Sequence, residues 1–178
     1  SSDLEMASTG EVATFGDDLH EAFFLSMIAV GFKLPKISGK NTAVEGGVLF
    51  SIGGVEEKAD LLPVAEKFLN MGFKIYGTEG TADFFNKNGV KCDKLCKIST
   101  EKEPNLLTAL IDRKFELIIN IPKHYSRSNV TDGYLIRRKS IDLNVPLITN
   151  VQVAKITAEA LETYTEKDLK IKAWKEYF

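Results

Sequence analysis

Histidine and cysteine are scarce in this chain, with two of each, and tryptophan occurs once. Cys92 and Cys96 stand four apart, while His20 and His124 lie far from them and share no ligand spacing. A zinc site needs about four ligands at short, regular spacing, so a metal site is not expected. Two free thiols in a reducing compartment are the reading that remains. No apolar run approaches the roughly 20 residues of a membrane span. The opening SSDLEMASTGEV has neither a basic stretch nor an apolar one, so it does not read as a secretory signal. It also lacks an initiator methionine, and a piece of a longer protein is the expectation. The net charge of −2 gives no electrostatic case for nucleic acid or an anionic membrane as partner. Neither GxxxxGK[ST] nor GxGxxG occurs, which argues against a Walker loop and against a dinucleotide site.

What is present is material for a packed core. Hydrophobic residues make up 44% and charged residues 27% of 178, enough for one ordinary domain plus an appendage. Gly47 to Ile52 (GVLFSI) is short, apolar and followed by Gly-Gly, as a buried strand would be. Asp60 to Met71 carries Leu61, Val64, Phe68 and Leu69 on one helical stripe. Pro63 falls in the first turn of that helix, where a missing N–H costs little. Lys74 to Gly77 reads as a second strand, Ala82 to Asn88 as a short helix, and Lys91 to Leu95 as a third strand. Asn105 to Arg113 is a helix, and Leu117 to Ile119 a fourth strand closed by Ile121 and Pro122. Tyr134 to Leu143 (helix), Pro146 to Ile148 (strand) and Val151 to Thr163 (helix) complete the series. Strands alternating with helices predict an α/β fold with a five-stranded parallel sheet covered on both faces, Rossmann-like or flavodoxin-like. The domain is expected from residue 46 to 165, with a charged and aromatic tail at 166–178.

Residues 1–45 have another character. Asp18 to Val30 has a capping-box pattern, Asp18 then Glu21, and an apolar run, AFFLSMIA, that leaves little polar face. With LPKISGKN after it, this segment reads as the end of a preceding domain plus a linker.

Ligands of open parallel sheets bind beyond the carboxyl ends of the strands. The hydrogen-bonding residues expected there are Lys58 after strand one and Thr78, Glu79, Gly80 and Thr81 after strand two. Lys97, Ser99 and Thr100 follow strand three, Asn120 and Lys123 strand four, and Thr149 and Asn150 strand five. Lysines at such ends converge on an anion site. The stretch YGTEGTADFF, residues 76–85, runs from strand to helix, so its backbone N–H groups and the helix dipole favour an anion. Gly80 permits close approach and two threonines add hydroxyls. The alternative is a plain turn with Thr81 as helix cap. Of Arg137 and Arg138, one could reach an anion or both could form surface ion pairs. Catalytic groups are few: His124 falls in a loop, and Glu79 sits in the middle of an anion cradle.

These residues carry a resemblance. The Thr-x-Gly-Thr turn, LIINIP, DGYLIRR and VPLITN look like the methylglyoxal-synthase-like domain. The whole chain resembles the C-terminal end of the carbamoyl-phosphate synthase large chain. EMASTGEVATFG is similar to the close of its second ATP-grasp unit, and GFKLPK to the connection into its allosteric domain. The resemblance implies a regulatory domain with no catalytic residues and no cofactor of its own, in a parent enzyme that uses ATP with Mg or Mn. It implies a small anionic effector, the other domains of the large chain, and a glutaminase subunit or domain as partners. In bacterial members the pocket holds UMP or IMP, at positions that match Lys58, Thr78, Thr81, Lys97 and Asn120. In ammonia-dependent, urea-cycle members it holds N-acetyl-L-glutamate. There a tryptophan stands at the position of Lys97, and a proline at that of Pro122. The lysines favour a nucleotide. A cytoplasmic location follows, or a mitochondrial one for the urea-cycle type.

Two other classes are weighed. A methylglyoxal-synthase-type lyase needs an aspartate before the third helix of its domain, where this chain has Glu103-Pro104-Asn105-Leu106 and Pro104 takes the aspartate's place. A protein-interaction module would use the apolar helix at 18–30. The effector reading makes a prediction from sequence alone. Lys97→Trp should weaken any phosphate-bearing effector, and an unchanged UMP affinity by titration calorimetry would remove Lys97 from the site.

Overall fold

Strand β1, Gly47–Ile52, lies at the centre of the sheet, and its residues are almost wholly buried. The structure is a computed structural model that describes residues 10–35, 46–96, 102–122, 132–165, 168–169, 172 and 176. Around β1 stand β2 (Lys74–Thr78), β3 (Asp93–Leu95), β4 (Phe115–Ile121) and β5 (Leu147–Ile148). All pair in parallel, in the order β3-β2-β1-β4-β5. That is the first five strands of the Rossmann order, and not the flavodoxin order. The chain winds outward through β2 and β3, then returns to the other side of β1. Its switch point therefore lies between the carboxyl ends of β1 and β4.

The helices are α1 (Leu19–Ala29), α2 (Val55–Asn70), α3 (Glu79–Lys87), α4 (Leu106–Ile111), α5 (Asp132–Asp142) and α6 (Val151–Thr163). Right-handed crossovers to opposite sides of β1 send helices to opposite faces. Helices α2, α3 and α6 cover one face, over Val48, Phe50, Ile52, Ile75, Leu117 and Ile119. Helices α4 and α5 cover the other, over Leu49, Phe115 and Ile118. Alternate β1 residues thus enter two different cores, the period-2 rule of a strand buried on both faces. Edge-on rings tie the first core together: Phe50 meets Phe85 at 5.4 Å and Phe68 at 6.5 Å between centroids.

Several boundaries differ from the sequence reading. Helix α2 begins at Val55, so Pro63 sits in its interior and not in its first turn. The signal lay in Gly53-Gly54 followed by Glu56-Glu57: a glycine cap, then acids in the first turn. Helix α3 starts at Glu79, directly off the strand, with Thr78 at the cap position. Thr81 is therefore its third residue and not the cap. Strand β3 begins at Asp93 and not Lys91, because Asn86 takes the backbone of Cys92: Nδ2 donates to its carbonyl at 2.8 Å and Oδ1 accepts from its N–H at 3.0 Å. Most of 166–178 lies outside the described residues.

Helix α1 packs on α6, with Phe24 and Met27 buried in the same core as β1. Asp18 caps it, Oδ1 accepting from Glu21 N at 2.9 Å, and Glu21 reaches back to Asp17 N. The other Asp18 oxygen accepts from Tyr164 Oη at 2.6 Å, at the far end of α6. That bond holds the Asp18 carboxyl below its ordinary value and pushes the Tyr164 phenol up to about 12. Both pKa shifts belong to one interaction. The raised phenol contributes stability that is complete below its ordinary value of 10.0 and is lost as pH rises through about 12. The depressed carboxyl contributes stability that is lost as pH falls below the ordinary 3.8.

Two outcomes follow. In an ultraviolet titration one tyrosine should ionise near 12 and vanish in Tyr164→Phe; a phenol at its ordinary value would mean that α1 is not tied to α6 there. Phe24→Ala should cost about 3–5 kcal/mol in urea unfolding, the range for emptying a core phenylalanine site. A loss below about 1 kcal/mol would mean that α1 is not part of the fold.

Candidate functional site

The strand registers set four polar side chains in one row at the carboxyl end of the sheet. Phe50 pairs with Gly77, Ser51 with Asn120, and Ile119 with Ile148. One step further along, Thr78, Ser51, Asn120 and Thr149 therefore lie side by side on β2, β1, β4 and after β5. The switch point falls at the middle of this row, between Ser51 and Asn120.

Thr81 stands behind the row and is only 1% exposed. Its Oγ1 accepts from Ile52 N at 3.0 Å and lies 3.3 Å from Ile52 O and 3.3 Å from Thr78 Oγ1. It stitches the end of β1 to the start of α3, with its hydroxyl engaged on both sides. Thr78 is half-buried and makes no side-chain cap bond to the helix it begins. The strand-to-helix passage is tight. A Cβ at Gly77 would come within 2.9 Å of both Ala82 N and Cys92 Sγ, so only glycine fits there. Gly80 is exposed, and a Cβ built on it would lie 3.4 Å from Lys58 Nζ. The first turn of α2 thus carries an ammonium over the first turn of α3.

Helix starts differ across the molecule. Asp18, Asn105 and Asn150 cap α1, α4 and α6 with side-chain oxygens. Gly54 and Thr78, at the starts of α2 and α3, give no such bond. At α2 the Glu57 carboxylate folds back over Gly54, where an added Cβ would meet Oε2 at 1.6 Å. At α3 the nearest group to Gly80 is a cation instead. A lysine there opposes the positive helix end, which Glu79 in the first turn offsets in part. Among the described residues Lys58 has no carboxylate within ion-pair distance, whereas Lys94 is held by Asp83 and Lys74 by Asp93 at 2.8 Å. Asp83 chiefly, with Glu79 contributing, pushes the Lys94 ammonium above its ordinary range.

On the other side of the switch point Asn120 is 2% exposed. Its Oδ1 accepts from Arg137 Nη1 at 2.7 Å, and its Nδ2 donates to Ser51 O at 3.4 Å. The two arginines part company: Arg137 turns to the row, while Arg138 pairs with Asp142 at 3.4 Å on the surface of α5. Sequence reasoning left them undivided; the signal was the apolar Ile136 beside them, which fixes the inward side of the helix. Thr149 is exposed at the end of β5, and Asn150 is spent on the cap, accepting from Gln152 N and Val153 N. Lys97, Ser99, Thr100, Lys123 and His124 lie outside the described residues. Lys58, Thr78, Gly80 and Thr81 are thus brought together, and Asn120 stands across the switch point with Arg137.

The stretch considered for a base is otherwise engaged. Glu103 accepts from Asn105 N at 2.6 Å and from Thr108 Oγ1 at 3.0 Å, binding both oxygens to the start of α4. Cys92 is buried, and desolvation pushes its thiol up to about 12; Cys96 is half-buried at the end of β3. Among the described residues no cluster of His, Cys, Asp and Glu could hold a metal, and no helix is long and apolar enough to cross a membrane. A cavity of about 310 Å³ lies elsewhere, between Phe32 and Lys33 after α1 and Ile141 and Val145 before β5. The strand-end row is the better candidate, because charge and helix ends converge there and not in that groove.

The chain is similar in sequence to known proteins. The chain is 42% identical over 167 residues to Multifunctional protein URA2 of Saccharomyces cerevisiae, covering 89% of this chain and 7% of that protein. It is 39% identical over 172 residues to the mitochondrial carbamoyl-phosphate synthase [ammonia] of Homo sapiens, covering 93% and 11%. It is 35% identical over 173 residues to the carbamoyl phosphate synthase large chain of Archaeoglobus fulgidus, covering 97% and 15%. The chain thus spans a small part of the length of each of these relatives. Residues 60–149, from within α2 to the end of β5, match the family described as MGS-like domain, and the chain belongs to that family.

Proposed function

We propose that this chain is an allosteric regulatory domain of a carbamoyl-phosphate synthase large chain, which binds a small anionic effector at the carboxyl end of its sheet and has no catalysis of its own. One observation carries the reading. The Lys58 ammonium is held over Gly80, at a helix start whose cap residue makes no side-chain bond to the helix's N–H groups, with no carboxylate partner among the described residues. An anion bound there would meet free backbone N–H groups, a helix dipole, a hydroxyl and a cation at once. Similarity to synthases that are many times longer supports the placing of this domain within such a chain.

In this reading Lys58, Thr78 and Gly80 contact the anionic group, and Thr81 fixes the turn that presents it. Asn120 and Thr149 contact the rest of the ligand, and Lys97 and Lys123, which follow β3 and β4 in the sequence, contribute to it as well. A nucleotide of the UMP or IMP kind is the favoured effector, on the strength of the lysines. N-acetyl-L-glutamate is the second candidate, since Pro122 is shared with the responders to that ligand. The parent enzyme would join bicarbonate, ammonia and ATP with Mg or Mn, and would take ammonia from a glutaminase subunit or domain if it is glutamine-dependent. The effector would act by binding one conformation of the parent more tightly than another. Residues 1–45, which include α1, would belong to the tail of the preceding synthetase unit and its linker.

A thermal-shift panel of UMP, UTP, IMP, phosphoribosyl pyrophosphate and N-acetyl-L-glutamate tests this. A ligand at about 100 times its dissociation constant should add roughly 2.7 kcal/mol of stability. Lys58→Ala should weaken the bound anion roughly ten- to hundredfold, as the loss of a charged hydrogen bond does. If no member of the panel moves the melting temperature, the effector reading is wrong; if only N-acetyl-L-glutamate does, the nucleotide preference is.

A further inference from the structure

The geometry points to Arg137 as a positioning residue that decides which face of the Asn120 carboxamide an effector meets. The inference rests on the effector reading above and adds a chemical rule to it. A guanidinium has only donors. The Asn120 atom that Arg137 Nη1 touches at 2.7 Å must therefore be the oxygen, whatever the two ends of the amide look like by shape. With the oxygen committed to α5, Nδ2 faces β1, where one of its protons goes to Ser51 O at 3.4 Å. The second N–H is what Asn120 has left to offer.

Space for this arrangement is built in. Residue 133, one turn before Arg137 on α5, is glycine; a Cβ there would lie 3.4 Å from Arg137 Nη1 and 3.6 Å from Asn120 Nδ2. Arg137 has no carboxylate within ion-pair distance among the described residues, unlike its neighbour Arg138. Asn120 is almost completely buried, so its amide does not turn over against solvent. Lys58 on the opposite rim is donor-only as well. Among the described residues, Lys58, Arg137 and the remaining Asn120 N–H are donors only, and the other side chains of the row, Thr78, Ser51 and Thr149, are hydroxyls that adapt to either role. The ligand group seated against β4 is therefore an acceptor without protons: a carboxylate, a phosphate or a carbonyl. A hydroxyl or amine at that place would find no acceptor from Asn120.

Three variants of the 178-residue chain test the assignment, with UMP, IMP and N-acetyl-L-glutamate as probes in titration calorimetry. Arg137→Gln releases the carboxamide, because glutamine both donates and accepts, and affinity for the bound probe should fall about ten- to hundredfold. Arg137→Lys keeps a donor-only cation and should lose distinctly less. Asn120→Asp keeps the shape and gains an ion pair with Arg137, so its melting temperature should hold or rise while binding is lost at least about tenfold. A merely structural role would lower melting temperature and affinity together. Binding by Arg137→Gln within about twofold of the parent chain would overturn the inference and leave the anion site standing. If Arg137→Gln does not fold, the remaining pair decides: Arg137→Lys must bind better than Asn120→Asp, and equal losses overturn the inference. If the parent chain binds none of the three probes, the effector reading falls and takes this inference with it.

Discussion

The hydroxyl of Thr81 is the point on which the carboxyl end of this sheet depends. It is buried, and it meets both the N–H and the carbonyl of Ile52. The pairing of β1 with β2 stops at Phe50 and Gly77, so although Ile52 still registers with Ile121 of β4, it has no partner strand on the β2 side. Thr81 supplies what the ladder no longer does. Because it is the third residue of α3, the same bond fixes where that helix begins relative to β1. Everything that faces outward at this edge inherits its position from that stitch: the uncapped first turn of α3, the glycine at 80 and the approach of Lys58. A side chain that sequence placed among the ligand contacts is first of all a structural stitch.

The architecture was legible because its signals are periodic and local. β1 and α6 fall where the apolar run and the helical stripe put them, since both are bounded by clear stops. The failures were at helix starts. Pro63 drew the start of α2 five residues late, from Val55 to Asp60, because proline favours first turns; here the helix begins earlier and carries the proline inside. Residues 78–81 read as a turn between strand and helix because glycine and threonine are turn residues by composition. What they do instead is let a strand become a helix with no intervening residue, and Gly77 is required by the atoms of Ala82 and Cys92, which sequence does not display.

The candidate site was half legible for a related reason. Residues at the carboxyl ends of strands can be enumerated from the alternation of elements alone, and that gave Lys58, Thr78, Asn120 and Thr149. Which of them face a common space depends on register, on caps and on ion pairs. Asn150 was indistinguishable from a ligand in sequence and proves to be a helix cap. Glu79, without an assigned purpose in sequence, stands in the first turn of α3, where an acidic side chain is favoured by the dipole and adds to the field on Lys94. Arg137 and Arg138 differ by one position and by 100° around a helix, and that rotation sends one to the row and the other to Asp142.

Burial of one cysteine has a practical side. The Cys92 thiol, pushed up to about 12, holds no thiolate at neutral pH, and thiolate is the species that alkylating dyes attack. The chain has only one other cysteine, Cys96, half-buried where β3 ends beside Thr78 and Leu95. The unmodified sequence therefore carries its own single attachment point for a fluorophore, set by the fold at the rim of the strand-end row.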